Sequence, residues 1–208
     1  MAQVTIYMDN NLEENVKKLA KSTGVSISKF ISNILEQKVS SSWDDSVRKL
    51  SGSWSDDTAF SEDLRSHKTP GYKKRGILVY MLDTNTLIYF FKGMGEVEKN
   101  IFERSPQEIF VPTLVVYELE VGIAKSNDSK KRENQLLRFL SHIQIVNFGT
   151  KEAKASATIR AALEKSGNSI GPIDTLIAGC AKANNLILVT RNIDEFMRVE
   201  GLSVQNWY

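Results

Sequence analysis

Cysteine is almost missing from this 208-residue chain. The lone Cys180 excludes an internal disulfide and fits a reducing compartment. It sits in IAGCAKA, which reads as a buried helix. Histidine is as scarce. His67 and His142 stand alone, so no Cys/His zinc cluster and no Ser-His-Asp arrangement is suggested. No run approaches the roughly 18 apolar residues a membrane helix needs. The opening MAQVTIYMDN lacks the basic-then-apolar pattern of a secretory leader. The expectation is a cytoplasmic protein without a membrane partner. The glycines of GNSIGPID are not followed by Lys-Ser/Thr, which excludes a P-loop. Excess charge is lacking too. Residues 1–75 carry 12 Lys+Arg against 10 Asp+Glu, and the remainder 15 against 15. With so even a balance, any contact with nucleic acid rests on local placement of charge.

What is present falls into three zones: residues 1–39, 40–75 and 76–208. In the first, QVTIYM alternates polar and apolar side chains, which predicts a half-exposed strand with Gln3, Thr5 and Tyr7 on one face. NNLEENVKKLAKSTG places Leu12, Val16, Leu19 and Ala20 at helical spacing, with Gly24 as the stop. SISKFISNILEQKV starts a second helix with Ser26 as N-cap. Such a strand-helix-helix unit is too small to bury its own apolar faces and needs a partner. The second zone is rich in Ser and Asp yet studded with Trp43, Leu50, Trp54, Phe60 and Leu64. Its polarity predicts poor independent folding. Its aromatics predict anchors for a partner's pockets.

The third zone alternates apolar strands (ILVYMLDT, EIFVP, IQIVNF, LILVT, LSVQNW) with helical stretches. That pattern argues for an α/β fold, a mostly parallel sheet covered by helices. In such sheets, sites gather at the carboxyl ends of the strands. Asp83 follows the first strand. Asp174 opens the helix DTLIAGCAKA. Asn192 and Asp194 follow LILVT. Glu118 lies inside the apolar LVVYELEVG, where a carboxylate is expensive to bury unless paired. Its neighbour Glu120 is free to face solvent. Singly, each acid has another explanation: Asp174 as an N-cap, Asp83 in a turn, Glu118 paired with a buried Arg. Jointly they converge on one sheet edge. Carboxylates so placed repel, and hard oxygen ligands favour Mg²⁺ or Mn²⁺. Acids of this kind, with no nucleophile or His base, suit metal-assisted phosphodiester hydrolysis.

MLDTN, YELEVG, IGPIDTLIA and LVTRNIDEFMRVEGL run in the order found in the PIN-domain ribonucleases. Residues 79–208 resemble in particular the VapC toxins of bacterial VapBC toxin–antitoxin pairs. The resemblance implies that Asp83, Glu118 and Asp174 are catalytic, metal-binding acids of an endoribonuclease. It places Asn192 at a fourth catalytic position that is usually acidic, so either Asn192 orients a water or Asp194 takes over. Thr190 and Asn85 would support the metal shell. The family points to tRNA, and within tRNA to the initiator, although no pattern here selects that RNA substrate.

Residues 2–39 resemble the ribbon-helix-helix DNA-binding family. This implies operator DNA as a partner, with Gln3, Thr5 and Tyr7 at base edges and the backbone near Ser28 and Lys29 at a phosphate. No Arg or Lys stands on the strand. A dimerisation unit that never meets DNA is the other reading. The head followed by a wrapping tail is similar to the matching VapB-type antitoxins. In these an arginine enters the toxin's site. Here Arg65, beside Phe60 and Leu64, is the first choice, ahead of Arg48 and Arg75, since a guanidinium fits a carboxylate bidentately. A steric block by Trp43, Trp54 and Phe60 is the alternative. The whole reads as a fused antitoxin–toxin, inhibited in cis or in trans, assembled as a homo-oligomeric dimer or tetramer. The rival is a DNA-binding repressor whose PIN-like part is an inactive dimerisation module.

Overall fold

The computed structural model describes residues 7–22, 24–32, 42–56 and 78–208. Two compact units divide the chain, Met1–Ser42 and Trp43–Tyr208.

In the first unit, helix α1 (Asn10–Ser22) starts where the Asp9 carboxylate accepts the Leu12 N–H at 2.8 Å. That satisfies one of the donors a helix start leaves without a partner. Beyond it Gly24 takes a φ of +69°, and the Val25 N–H returns to the Ala20 carbonyl at 3.2 Å. Residues 27–32 are helical. Ser26 caps them as its pattern predicts, its Oγ accepting the Lys29 N–H at 3.2 Å. Ser28 and Lys29 are exposed. Tyr7 is 94% exposed, and neither it nor Met8 lies in a strand. Gln3 and Thr5 fall outside the described residues.

The second unit is built on five parallel strands: β1 (Tyr80–Leu82), β2 (Ile109–Pro112), β3 (Gln144–Val146), β4 (Ile187–Val189) and β5 (Val204–Gln205). Their order is β3-β2-β1-β4-β5. The chain winds outward from β1 to one side, then crosses to the other, so the order reverses between β1 and β4. Tyr80 pairs with Ile109 on one side and Ile187 on the other, and β1 is buried throughout. Crossovers are helical, as parallel strands require. They are α3 (Thr84–Lys92) and α4 (Val97–Phe102) after β1, α5 (Thr113–Ala124) and α6 (Ser129–Leu140) after β2, and α7 (Thr150–Lys165) and α8 (Pro172–Ala183) after β3. A short α9 (Ile193–Phe196) follows β4. Helices α7 and α8 cross at a glycine. A Cβ on Gly179 would come within 2.8 Å of the Ser156 backbone nitrogen. Cys180 is buried beside it, as expected, and burial, with Glu152 nearby, pushes its thiol up to about 12.

Residues 43–56 belong to this second unit and to its core. Asp44 caps a one-turn helix, α2 (Asp45–Arg48), by accepting the Ser46 N–H at 2.7 Å. Trp43, Val47, Leu50 and Trp54 are buried. The Trp43 indole donates to the carbonyls of Ile101 (3.2 Å) and Arg104 (2.7 Å) at the end of α4. The Gly52 and Trp54 N–H groups reach the Phe90 and Phe91 carbonyls at 3.2 and 2.7 Å. These lie in the last turn of α3, where carbonyls lack helical partners. Trp54 stacks on Phe91 with ring centroids 4.2 Å apart, and its indole N–H donates to Gln135 at 2.9 Å. The approach is close: Gly93 caps α3 in the left-handed region, and a Cβ there would stand 3.1 Å from the Gly52 Cα. Phe60, Leu64 and Arg65 lie outside the described residues, as does Arg75.

Candidate active site

Strand β1 delivers Asp83 to the carboxyl edge of the sheet at the point where strand order reverses, the usual crevice for a site in an open α/β sheet. Asp83 is both the residue after the strand and the N-cap of α3, its Oδ1 accepting the Thr84 N–H at 2.7 Å. Its other oxygen accepts from the Thr190 hydroxyl at 2.7 Å. Thr190 follows β4 directly and is fully buried. The Asp83 N–H bonds the Val189 carbonyl at 2.9 Å, and the Thr86 hydroxyl bonds the same carbonyl at 2.9 Å. The two central strand ends are thus tied together directly beneath the carboxylate.

Three further acids face this point. Glu118, on the second turn of α5, accepts a hydrogen bond from the Thr84 hydroxyl. Asp174, in the first turn of α8, feels the charges of Asp83, Glu195 and Glu118. Glu195 is in the first turn of α9. Gly171, which precedes α8, makes room for the cluster, since a Cβ there would lie 2.8 Å from an Asp174 oxygen.

The electrostatics follow from this crowding. Burial first, then the Glu118 charge, raises Asp83 to about 6 against the pull of its Thr190 and Thr84 hydrogen bonds. Asp174 is raised to about 7 by burial, then by Asp83 and Glu195, then by Glu118. Among the described residues no cation forms an ion pair with any of the four. Nor, among them, do three acids already stand close enough to clasp one ion. Glu118 is turned onto Thr84 instead. The donor set is nonetheless all hard oxygen, carries uncompensated negative charge and converges from four elements. Those properties suit a divalent cation, and Asp83, Asp174 and Glu118 are the residues that would hold one.

The other residues singled out from sequence are placed as follows. Thr190 hydrogen-bonds Asp83. Asn192 is half-buried at the N-cap of α9, its backbone N–H donating to the Thr190 hydroxyl at 3.0 Å. Asn85 and Asp194 are exposed, and Glu120 is half-buried. The acid whose charge reaches Asp174 from α9 is Glu195, which the sequence reading passed over. Its signal was an acid three residues past the N-cap Asn192, at a helix start that favours negative charge. Trp43 and Trp54 are core residues rather than a cover over the acids. Phe91, on which Trp54 stacks, is eight residues along α3 from Asp83, about 12 Å at the helical rise. Arg48 packs its guanidinium on Phe102 at 4.8 Å. His142 bonds the Arg138 carbonyl of its own helix end at 2.9 Å.

Comparison with known proteins divides the chain later than the compact units do, between residues 72 and 80. Residues 80–202 match the PIN domain family, and residues 1–72 match a family of unknown function, DUF6364. The tRNA(fMet)-specific endonuclease VapC of Salmonella typhimurium is 31% identical over 131 residues, 63% of this chain and 99% of that protein. Ribonuclease VapC2 of Rickettsia felis is 36% identical over 132 residues, 62% of this chain and 98% of that protein. Among solved structures, VapBC2 from Rickettsia felis bound to a promoter DNA fragment aligns with a TM-score of 0.58 at 34% identity, over 63% of this chain and 100% of that one. DNA-bound VapBC from Salmonella typhimurium aligns with a TM-score of 0.59 at 31% identity, over 63% and 99%. The parallel sheet flanked by helices is thus a PIN fold, its carboxylates gathered where the strand order reverses, and the chain belongs to the PIN-domain family, with VapC ribonucleases among its relatives.

Proposed function

We propose that this chain is a fused toxin–antitoxin protein whose second unit is a divalent-metal-dependent endoribonuclease acting on tRNA. The observation that carries the reading is the set of four acids at the switch point, two raised to about 6 and 7 with no described cation paired to them. When bound, a divalent cation there activates water and stabilises charge on the phosphoryl group. The role of the chain itself is positional. Thr190 and the Thr84 N–H fix both oxygens of Asp83. Thr84 holds Glu118, and Gly171 leaves Asp174 room. Glu195 supplies an acid beside the position where Asn192 lacks one. That favours an active nuclease over an inert dimerisation module.

Residues 1–39 act as the ribbon-helix-helix head. Exposed Leu12 and Ile27 leave an apolar face for a second copy. Operator DNA is the partner proposed for that dimer, by analogy with relatives solved on DNA. Residues 40–75 restrain the nuclease, with Arg65 as the residue that neutralises its acids. The test is cleavage of a tRNA pool with Mg²⁺ by the full chain, by Arg65→Glu, and by Arg65→Glu with Asp83→Asn. Cleavage by the single variant alone is expected. Cleavage that persists unchanged in the double variant would sink the nuclease assignment to these acids.

A further inference from the structure

A groove of about 760 Å³ opens between α2 and α6, and none of its lining residues belongs to the acid cluster. Segment 43–56 contributes Ser46 and Lys49 to its wall. Helix α6 and the residue before it contribute Asp128, Lys130, Lys131 and Arg138. Asp128 is the one acid in this wall, against four cations. All four cations are exposed. Among the described residues none is engaged in an ion pair. Asn127, Asn134 and Gln135 add neutral polar groups. Over the whole chain the charge is nearly balanced, +2 over 208 residues, so four cations against Asp128, with Asp44 close enough to feel Arg138, make a local excess of positive charge in a concave, polar setting. Such a setting suits a run of phosphates better than a compact metabolite. Cations spread along a groove follow a backbone, and each phosphate neutralised releases condensed counterions.

We propose that this groove grips backbone phosphates of the RNA substrate, outside the acid cluster, and that segment 43–56 supplies one of its two walls. The assignment of RNA as the ligand rests on the ribonuclease reading above. It gives the segment a second role. The same residues that complete the core also extend the substrate-binding surface, so the segment that leads into the restraining tail contributes to RNA affinity.

The test measures binding of a fluorescent bulk tRNA pool to the full chain by anisotropy, between about 50 and 200 mM KCl. Parent protein is compared with Lys130→Glu/Lys131→Glu and, separately, with Lys49→Glu. The double variant is expected to bind about tenfold more weakly, with a log–log salt slope smaller by about 1.4, since each single-strand phosphate contact contributes about 0.7. Lys49→Glu is expected to shift affinity in the same direction by a smaller factor. Unchanged affinity and slope in both variants would overturn the proposal, as would a loss seen only with duplex DNA. The substituted side chains are exposed, so an unchanged melting curve certifies the fold. The two readings separate cleanly. If Arg65→Glu cleaves tRNA yet the charge-reversed chains bind it like the parent, the groove fails and the ribonuclease stands. Lysine-dependent tRNA binding in a chain that never cleaves would leave the groove standing and remove the ribonuclease.

Discussion

The two ends of helix α3 are opposites. At its N-terminus, Asp83 sits buried among three other acids, with no described cation beside it. At its C-terminus, Gly93 caps the helix, Gly52 and Trp54 donate to its last carbonyls, and Trp54 covers Phe91. One end leaves charge unresolved, and the other satisfies backbone polar groups with a segment lying far ahead in sequence. The contrast separates charge repulsion from fastening along a single helix: acids crowd one end, and the opposite end is held by packing and hydrogen bonds.

The strongest way to break the fastened end is Trp54→Ala. It removes a fully buried indole, its stack and its bond to Gln135, and is expected to cost about 3–5 kcal/mol, read as a lower denaturation midpoint. Asp83→Asn attacks the other end. In a chain carrying Arg65→Glu it is expected to lower tRNA cleavage at least about 100-fold, roughly 2.7 kcal/mol of barrier, while folding is kept. If Trp54→Ala abolished cleavage as completely at a temperature where the chain remains folded, the two ends would not be separable. Gly179→Ala touches neither end. Its methyl would press on the Ser156 backbone, and about 1–3 kcal/mol of stability is expected to go, with the acids unaffected. A smaller effect sharpens the comparison through pH. Asp83 and Asp174 are raised from 3.8 to about 6 and about 7, so between those limits the folded state holds more protons than the unfolded state. Their contribution therefore favours folding at low pH and is lost as pH rises from about 4 to about 7. Melting in EDTA should show this decline, and Mn²⁺ should reduce it near pH 7. A melting temperature in EDTA that rose over that range would contradict the burial of these acids.

The strands and the acids were legible because both follow simple rules. Runs such as ILVYML and LILVT give buried central strands, and sites in parallel sheets gather at strand ends, the region where Asp83, Glu118 and Asp174 lie. Helix α3 was less legible. Its LIYFF run is aromatic and carries no polar face, so periodicity says little, and only Asp83 at one end and Gly93 at the other mark it. Glu195 was hidden behind the more obvious Asn192 and Asp194, because the reach of its charge to Asp174 depends on the turn of a four-residue helix. The tryptophans were readable as anchors, but not their address. Nothing local in SSSWDDSVRKLSGSWSDD says that its pockets lie at the ends of α3 and α4 of the same chain.

That address has a consequence for mass action. Trp43 and Trp54 reach their pockets from a segment joined to the body through residues 57–77. Seating them is therefore an intramolecular event, governed by an effective concentration fixed by the linker rather than by how much protein is present. Dilution that would dissociate a pair of separate chains leaves this contact in place, so the fastened end of α3 stays closed at any expression level.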